Sequence, residues 1–179
     1  MKHFIPALKI YFFMSLILGL IYPAMITVFG QTFFSKQSNG SLIEINGKII
    51  GSELIGQKFE GEGYFWPRPS ATDFNAIPSG GSNLGPTSRA LKEAVLARQG
   101  KLGAMAPKSL LFASGSGLDP ELDLEGVNYQ IPRVSKARGV PQEILRSMVA
   151  ANTEKRMLGF IGEERVNILK LNLALDKQR

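Results

Sequence analysis

Ile10-Tyr-Phe-Phe-Met-Ser-Leu-Ile-Leu-Gly-Leu-Ile-Tyr-Pro-Ala-Met-Ile-Thr-Val-Phe-Gly-Gln-Thr-Phe-Phe-Ser35 holds no charged residue. Its length, about 26 residues, exceeds the ~20 that a membrane-spanning helix needs. It is apolar on every side, and a chain of 179 residues has little interior in which to bury such a rod. A cleaved signal peptide would have an apolar run of ~7–15 residues ending at a small-x-small site. Here the end is bulky, Phe29-Gly-Gln-Thr-Phe-Phe34. The expectation is an uncleaved signal anchor over 10–35.

Flanking charge orients it. Lys2 and Lys9 precede the span, and after Lys36 no charge appears until Glu44. The positive-inside rule then makes 1–9 a cytoplasmic N-terminus and 36–179 an extracytoplasmic, periplasmic-side domain. Ser15, Gly19, Pro23, Thr27 and Gln31 recur at spacing four along the span. Such a row of small and polar residues suits close packing against a partner helix.

The whole-chain averages conceal this division: mean hydropathy is +0.02 and net charge +6. Of 21 Lys and Arg, 19 remain once Lys2 and Lys9 are set aside, against 15 Asp and Glu. Their signs alternate without a basic stripe, so nucleic acid is not an expected partner, whereas membrane lipid is. The chain has no cysteine and a single histidine, His3. Thiolate metal sites, a cysteine nucleophile and a Ser-His-Asp triad are therefore excluded. No Ser-x-x-Lys and no Gly-x-Ser-x-Gly occurs. No catalytic residue, no metal ligand and no tightly bound cofactor is expected.

Beyond the span the pattern predicts an α+β domain. Ser41-Leu-Ile-Glu-Ile45, Asn46-Gly47, Lys48-Ile-Ile50 reads as a hairpin with a two-residue turn. Tyr64-Phe-Trp-Pro-Arg-Pro-Ser70 reads as extended chain. Thr87 and Ser88 are cap candidates for a helix through Arg98, with Gly100 beyond its end. A helical region over 127–138 is expected to be interrupted by Pro132, and another helix to run from Pro141 to about Ala151. Val166 to Leu175 suits either a strand or a helix. Asp119, Glu121, Asp123 and Glu125 read as a helix N-terminus favoured by the dipole rather than a calcium site. Ser79-Gly-Gly-Ser-Asn83 reads first as a tight turn, with an anion nest as the alternative.

Six blocks in order then carry a resemblance. They are Gly51-Ser-x-Leu-Ile-Gly-Gln57-x-Phe59, Tyr64-Phe-x-x-Arg68-Pro-Ser-Ala71, Ser79-Gly-Gly-Ser-Asn-Leu-Gly-Pro86, Ser114-Gly-Ser-Gly-Leu-Asp-Pro120, Gln130-x-x-Arg133-Val-x-x-Ala-Arg-Gly139 and Val166-Asn-x-Leu-x-Leu-Asn-Leu-Ala-Leu-Asp176. Together, behind one N-terminal apolar helix, they resemble the C subunit of the bacterial Kdp potassium-transporting ATPase. Glu121-Leu-Asp-Leu124 and Phe74 depart from that family's pattern.

The resemblance implies an accessory, non-hydrolysing subunit of an inner-membrane complex that imports potassium at high affinity. Its implied partners are an ATP-hydrolysing pump subunit and a channel-like potassium-translocating subunit, which handle the ATP and the potassium. It implies that the chain stabilises assembly and, as a catalytic chaperone, raises the pump subunit's ATP affinity. By carry-over Ser79, Gly80, Gly81, Ser82 and Asn83 are weak nucleotide candidates, although the topology favours an indirect effect. Arg68, Pro69, Ser70, Arg133 and Arg138, all within the matching blocks, are candidates for docking the domain. A stand-alone anchored hydrolase or solute-binding module is the alternative.

Overall fold

The computed structural model describes residues 3–178. Met1 and Lys2, from the segment expected in the cytoplasm, and Arg179, the end of the expected outer domain, lie outside the described residues. The chain divides between Ile50 and Gly51 into two compact units, each described by itself.

The first unit is dominated by one helical rod. Helix α1 (Phe4–Leu16) passes through a single π turn (Ile17–Ile21) into α2 (Tyr22–Phe33). The rod has 30 residues, a mean hydropathy of 2.1 over an 18-residue stretch of it, and no buried residue. At ~1.5 Å per residue it is about 45 Å long, enough to cross a ~30 Å hydrocarbon core with tilt. It begins six residues before the charge-free stretch and takes in Lys9.

The π turn has a local cause. Pro23 has no N–H for the carbonyl four residues back, and its ring crowds that carbonyl. The Tyr22 N–H reaches the Ile17 carbonyl, five residues back, so the backbone widens one step ahead of the proline.

After Phe34 leaves the helical region at φ −134°, a single turn, α3 (Ser35–Ser38), precedes the expected hairpin. Strands β1 (Leu42–Ile45) and β2 (Lys48–Ser52) are joined by Asn46 and Gly47 at φ 53° and 74°. Both turn residues are left-handed, the combination whose twist matches the flanking strands.

The second unit carries the core. Its elements are α4 (Arg89–Leu102), α5 (Lys108–Leu111), β3 (Glu121–Asp123), α6 (Leu124–Arg138), α7 (Gln142–Ala151), β4 (Thr153–Glu154), β5 (Arg165–Asn167) and α8 (Ile168–Asp176). The strands form an antiparallel sheet in the order β3-β5-β4. Register places Leu122 opposite Val166 with both side chains buried, while Arg165 on the other face bonds Glu121 at 2.8 Å and Glu154 at 3.1 Å. Val127, Ile131 and Val134 of α6, Leu145 and Val149 of α7, and Ile168, Leu171 and Leu175 of α8 close the core with Phe65. The mixed helix-and-strand class matches the sequence pattern.

Two helix limits differ from expectation. Ser88 caps α4, accepting from the Leu91 N–H at 3.4 Å, but the helix runs through Gly100 and stops at Gly103. Glycine inside a helix is merely unfavourable, whereas Gly103 adopts φ 103°, which no helix can continue. Pro132 does not interrupt α6. It lies on the exposed side, and the buried row before and after it holds both halves in one helix.

The ambiguous C-terminal run proves to be both forms in succession. Arg165–Asn167 is strand, and the Asn167 side chain then caps α8 by accepting from the Lys170 N–H at 3.1 Å. The acidic run divides its labour. Asp123 caps α6 through the Gly126 N–H at 2.9 Å and receives the Ser109 hydroxyl at 2.7 Å, while Glu125 lies in the first turn. Asp119 instead pairs with Arg68 at 3.0 Å, and Glu121 with Arg165.

Replacing Asp123 by alanine removes this cap and the bond to Ser109. The expected loss is about 1–2 kcal/mol, with Asp123→Asn retaining most of the cap. Thermal unfolding of the detergent-solubilised chain, followed by circular dichroism, measures both.

Candidate functional site

The matching blocks of sequence meet around residues 61–72, a stretch without helix or strand. Extended chain must find partners for its peptide groups, and here side chains supply them. The Asn172 carboxamide accepts from the Phe65 N–H at 2.9 Å and donates to the Phe65 carbonyl at 2.9 Å. Gln130 does the same for Trp66, accepting at 2.7 Å and donating at 3.0 Å. Both amides are 1% exposed. A carboxamide has one donor edge and one acceptor edge, like a peptide, so each stands in for a neighbouring strand. Successive residues of an extended chain offer their edges to opposite sides. That is why the two amides come from different helices, α6 and α8. Pro67 and Pro69 then remove two donors that would otherwise need partners.

Two arginines brace the aromatic rings. Arg133 lies over Trp66, 3.8 Å from the ring centroid, and donates to the carbonyls of Glu62 at 2.6 Å and Tyr64 at 2.9 Å. Burial lowers its pKa from the ordinary guanidinium value, and Glu62 opposes the shift. Arg138 lies over Tyr64 at 4.5 Å, donates to the Gly63 carbonyl at 2.6 Å and bonds Asp176 at 2.7 Å. The Tyr64 hydroxyl also reaches Asp176, at 3.1 Å. Stacking of this kind adds about 0.5–2 kcal/mol beyond burial. Nε of Arg68 and Nη1 of Arg138 are buried without a hydrogen-bond partner.

Two glycine loops approach back to back beside this clasp. A Cβ on Gly81 would lie 2.8 Å from the Gly115 carbonyl oxygen, and one on Gly117 would lie 2.6 Å from that of Gly80. Gly117 also sits at φ 72°. Gly81 and Gly117 are thus required by backbone contact, whereas a Cβ on Gly80 or Gly115 would meet nothing within 4 Å. Ser79, Ser82 and Asn83 remain exposed, and Asn83 takes a left-handed φ of 53°.

The predicted residues therefore fall into distinct places. Arg68, Arg133 and Arg138 make their visible bonds inside the second unit, Pro69 accepts from the Ser114 N–H at 2.9 Å, and the Ser70 hydroxyl accepts from the Phe74 N–H at 2.9 Å. On the apolar rod the Thr27 hydroxyl donates to the Pro23 carbonyl at 2.8 Å, and Gln31 exchanges two bonds with Asn39. Ser15 and Gly19 are exposed on the same rod. Gln130, Asn172 and Asp176 stood within the matching blocks without a role of their own, and their signal was polar residues amid apolar helix faces.

Two clefts open on the second unit. One, of about 480 Å³, is lined by Arg68, Asp119, Glu121, Glu164 and Arg165 among others. The other, of about 410 Å³, is lined by Phe59, Trp66 and Phe74 together with Lys58, Arg98 and Lys101. Burial lowers the Arg98 pKa, and its Nη1 donates to the Leu111 carbonyl at 2.7 Å. Hydrogen bonds to Asp73 and then Glu60 raise that of Lys58. Among the described residues no group of three or more His, Asp or Glu side chains is placed to hold a metal ion.

Comparison with known proteins matches residues 4–177 to the family described as the potassium-transporting ATPase, C chain. Similar relatives are the potassium-transporting ATPase KdpC subunits of Burkholderia orbicola and Burkholderia ambifaria. Each is 49% identical over 181 residues, covering 96% of this chain and 94% of the relative. That of Burkholderia mallei is 48% identical over 183 residues, covering 97% and 95%.

Asn172→Leu would leave the Phe65 N–H and carbonyl buried without partners. At about 1–3 kcal/mol for each stranded group, the expected destabilisation is about 3 kcal/mol or more. Urea unfolding of the solubilised chain should show it as a lowered midpoint, and Gln130→Leu should behave alike.

Proposed function

The chain belongs to the family of potassium-transporting ATPase C chains, and on that premise we propose that it is a non-hydrolysing subunit of a bacterial potassium-importing complex. The observation that carries this reading is the extent of the match. It runs from residue 4 to 177, so the membrane-length rod and the clasped domain belong to one family unit.

In this reading ATP hydrolysis sits on a pump subunit and potassium passes through a channel-like subunit. This chain holds the two together and, as a catalytic chaperone, raises the pump subunit's affinity for ATP. It keeps no cofactor of its own. The anchor lies in the inner membrane with its N-terminus in the cytoplasm and the domain outside, as the flanking lysines favour. The row Ser15, Gly19, Pro23, Thr27 and Gln31 packs against a partner helix, since small residues let backbones approach closely.

The effect on ATP affinity is indirect. A domain outside the membrane is separated from cytoplasmic ATP, and Gly80 and Gly81 already serve the contact with the 115–117 loop. The exposed Ser79, Ser82 and Asn83 are the residues left to test a direct contact.

Affinity purification of the full chain should recover both partner subunits, and the chain alone should hydrolyse no ATP. Recovery as a solitary protein, or intrinsic hydrolysis abolished by one serine or lysine change, would overturn the reading. Protease added to spheroplasts should cut beyond Lys36. Ser79→Ala and Ser82→Ala should leave the complex's KM for ATP unchanged, whereas a several-fold rise would establish direct contact. Gly19→Leu with Thr27→Leu should reduce partner recovery.

A further inference from the structure

Residues 155–164, Lys-Arg-Met-Leu-Gly-Phe-Ile-Gly-Glu-Glu, connect β4 to β5 and take no part in the clasp or the core. Met157, Leu158, Phe160 and Ile161 are 68%, 78%, 73% and 47% exposed. Isolated apolar side chains on a surface are ordinary, and Ile77 and Met105 are of that kind. Four within five residues form a patch, and a patch calls for a cover.

The patch is built rather than loose. Met157 and Ile161 exchange backbone bonds, each at 2.9 Å. The Gly159 N–H donates to the Arg156 carbonyl at 3.1 Å. Leu158 is held at φ 54°, a conformation that a branched side chain rarely takes, while Gly159 and Gly162 supply the other two left-handed positions. The hairpin therefore displays its apolar side chains outward in a fixed arrangement, which reduces the ordering needed on association.

Charge decides the kind of cover. Lys155 and Arg156 enter the tip, Glu163 and Glu164 leave it, and among the described residues none of the four makes an ion pair or side-chain hydrogen bond. An anionic bilayer would attract the first two and repel the last two. A protein interface places an apolar centre inside a polar rim and uses both signs for register.

We propose that the Met157–Ile161 tip inserts into an apolar recess, rimmed by charges of both signs, on the extramembrane surface of another subunit of the potassium-transporting ATPase. This rests on the functional reading above.

The absence of cysteine makes a clean test possible. Leu158→Cys and Phe160→Cys are introduced singly into the full chain, so that one large anchor always remains, with Met105→Cys as the exposed control. Maleimide labelling is timed in the purified complex, in the chain alone in detergent, and in the chain alone in phosphatidylglycerol-containing vesicles. Water exclusion at the centre of an interface should slow tip labelling about tenfold or more in the complex only, with Met105→Cys reacting equally in all three. Fast tip labelling in an intact complex would overturn the proposal and leave the functional reading standing. Protection already present in vesicles would assign the tip to lipid and also overturn it. Failure of the chain to recover any partner would overturn the functional reading, and this proposal with it.

Discussion

Two buried carboxamides govern the second unit. Phe65 lies in the core, yet it belongs to a segment with no strand beside it, so burying its ring would strand its peptide groups. Asn172 and Gln130 resolve this by offering a peptide-like edge from either side. Each amide lies on the buried face of its helix among the residues that build the core, so the clasp and the hydrophobic packing are mutually dependent. Arg133 and Arg138 extend the clasp outward by covering Trp66 and Tyr64 and gathering the carbonyls of residues 62–64.

Local features were legible in the sequence because their causes are local. The hairpin follows from Asn46-Gly47, the start of α4 from Ser88, and the membrane-length rod from uninterrupted apolarity. Where a neighbour decides, the pattern was insufficient. Pro132 marks a break by its own chemistry, but the buried row on the far side of α6 overrides it. Val166 to Leu175 has both periods because it enters the sheet for three residues before Asn167 caps a helix. The clasp itself was invisible: Gln130 lies 64 residues from Trp66 and Asn172 lies 107 from Phe65, and no spacing rule spans that distance. The glycine blocks were visible as motifs but not as a pair, since their reason is the approach of one backbone to the other.

The family match gives this construction a purpose. Under the proposed reading, a subunit that lends contact rather than chemistry needs a surface that keeps its shape. Arginines over aromatic rings, acidic side chains and glycine-rich loops brace the second unit from within. Among the exposed apolar side chains of the second unit, Met157, Leu158, Phe160 and Ile161 are the ones gathered in one hairpin tip.

Helix α8 supplies core residues, one of the two carboxamides and the carboxylate that bonds Arg138 and Tyr64. Among the described residues it is the last element in sequence order. Gln130 follows Trp66 by 64 residues and Asn172 follows Phe65 by 107, so during synthesis the aromatic segment emerges well before the side chains that fix it. Long-range contacts of this kind slow folding. A chain cut shortly before Asn172 keeps its apolar rod but leaves the buried Phe65 peptide groups without the carboxamide that satisfies them.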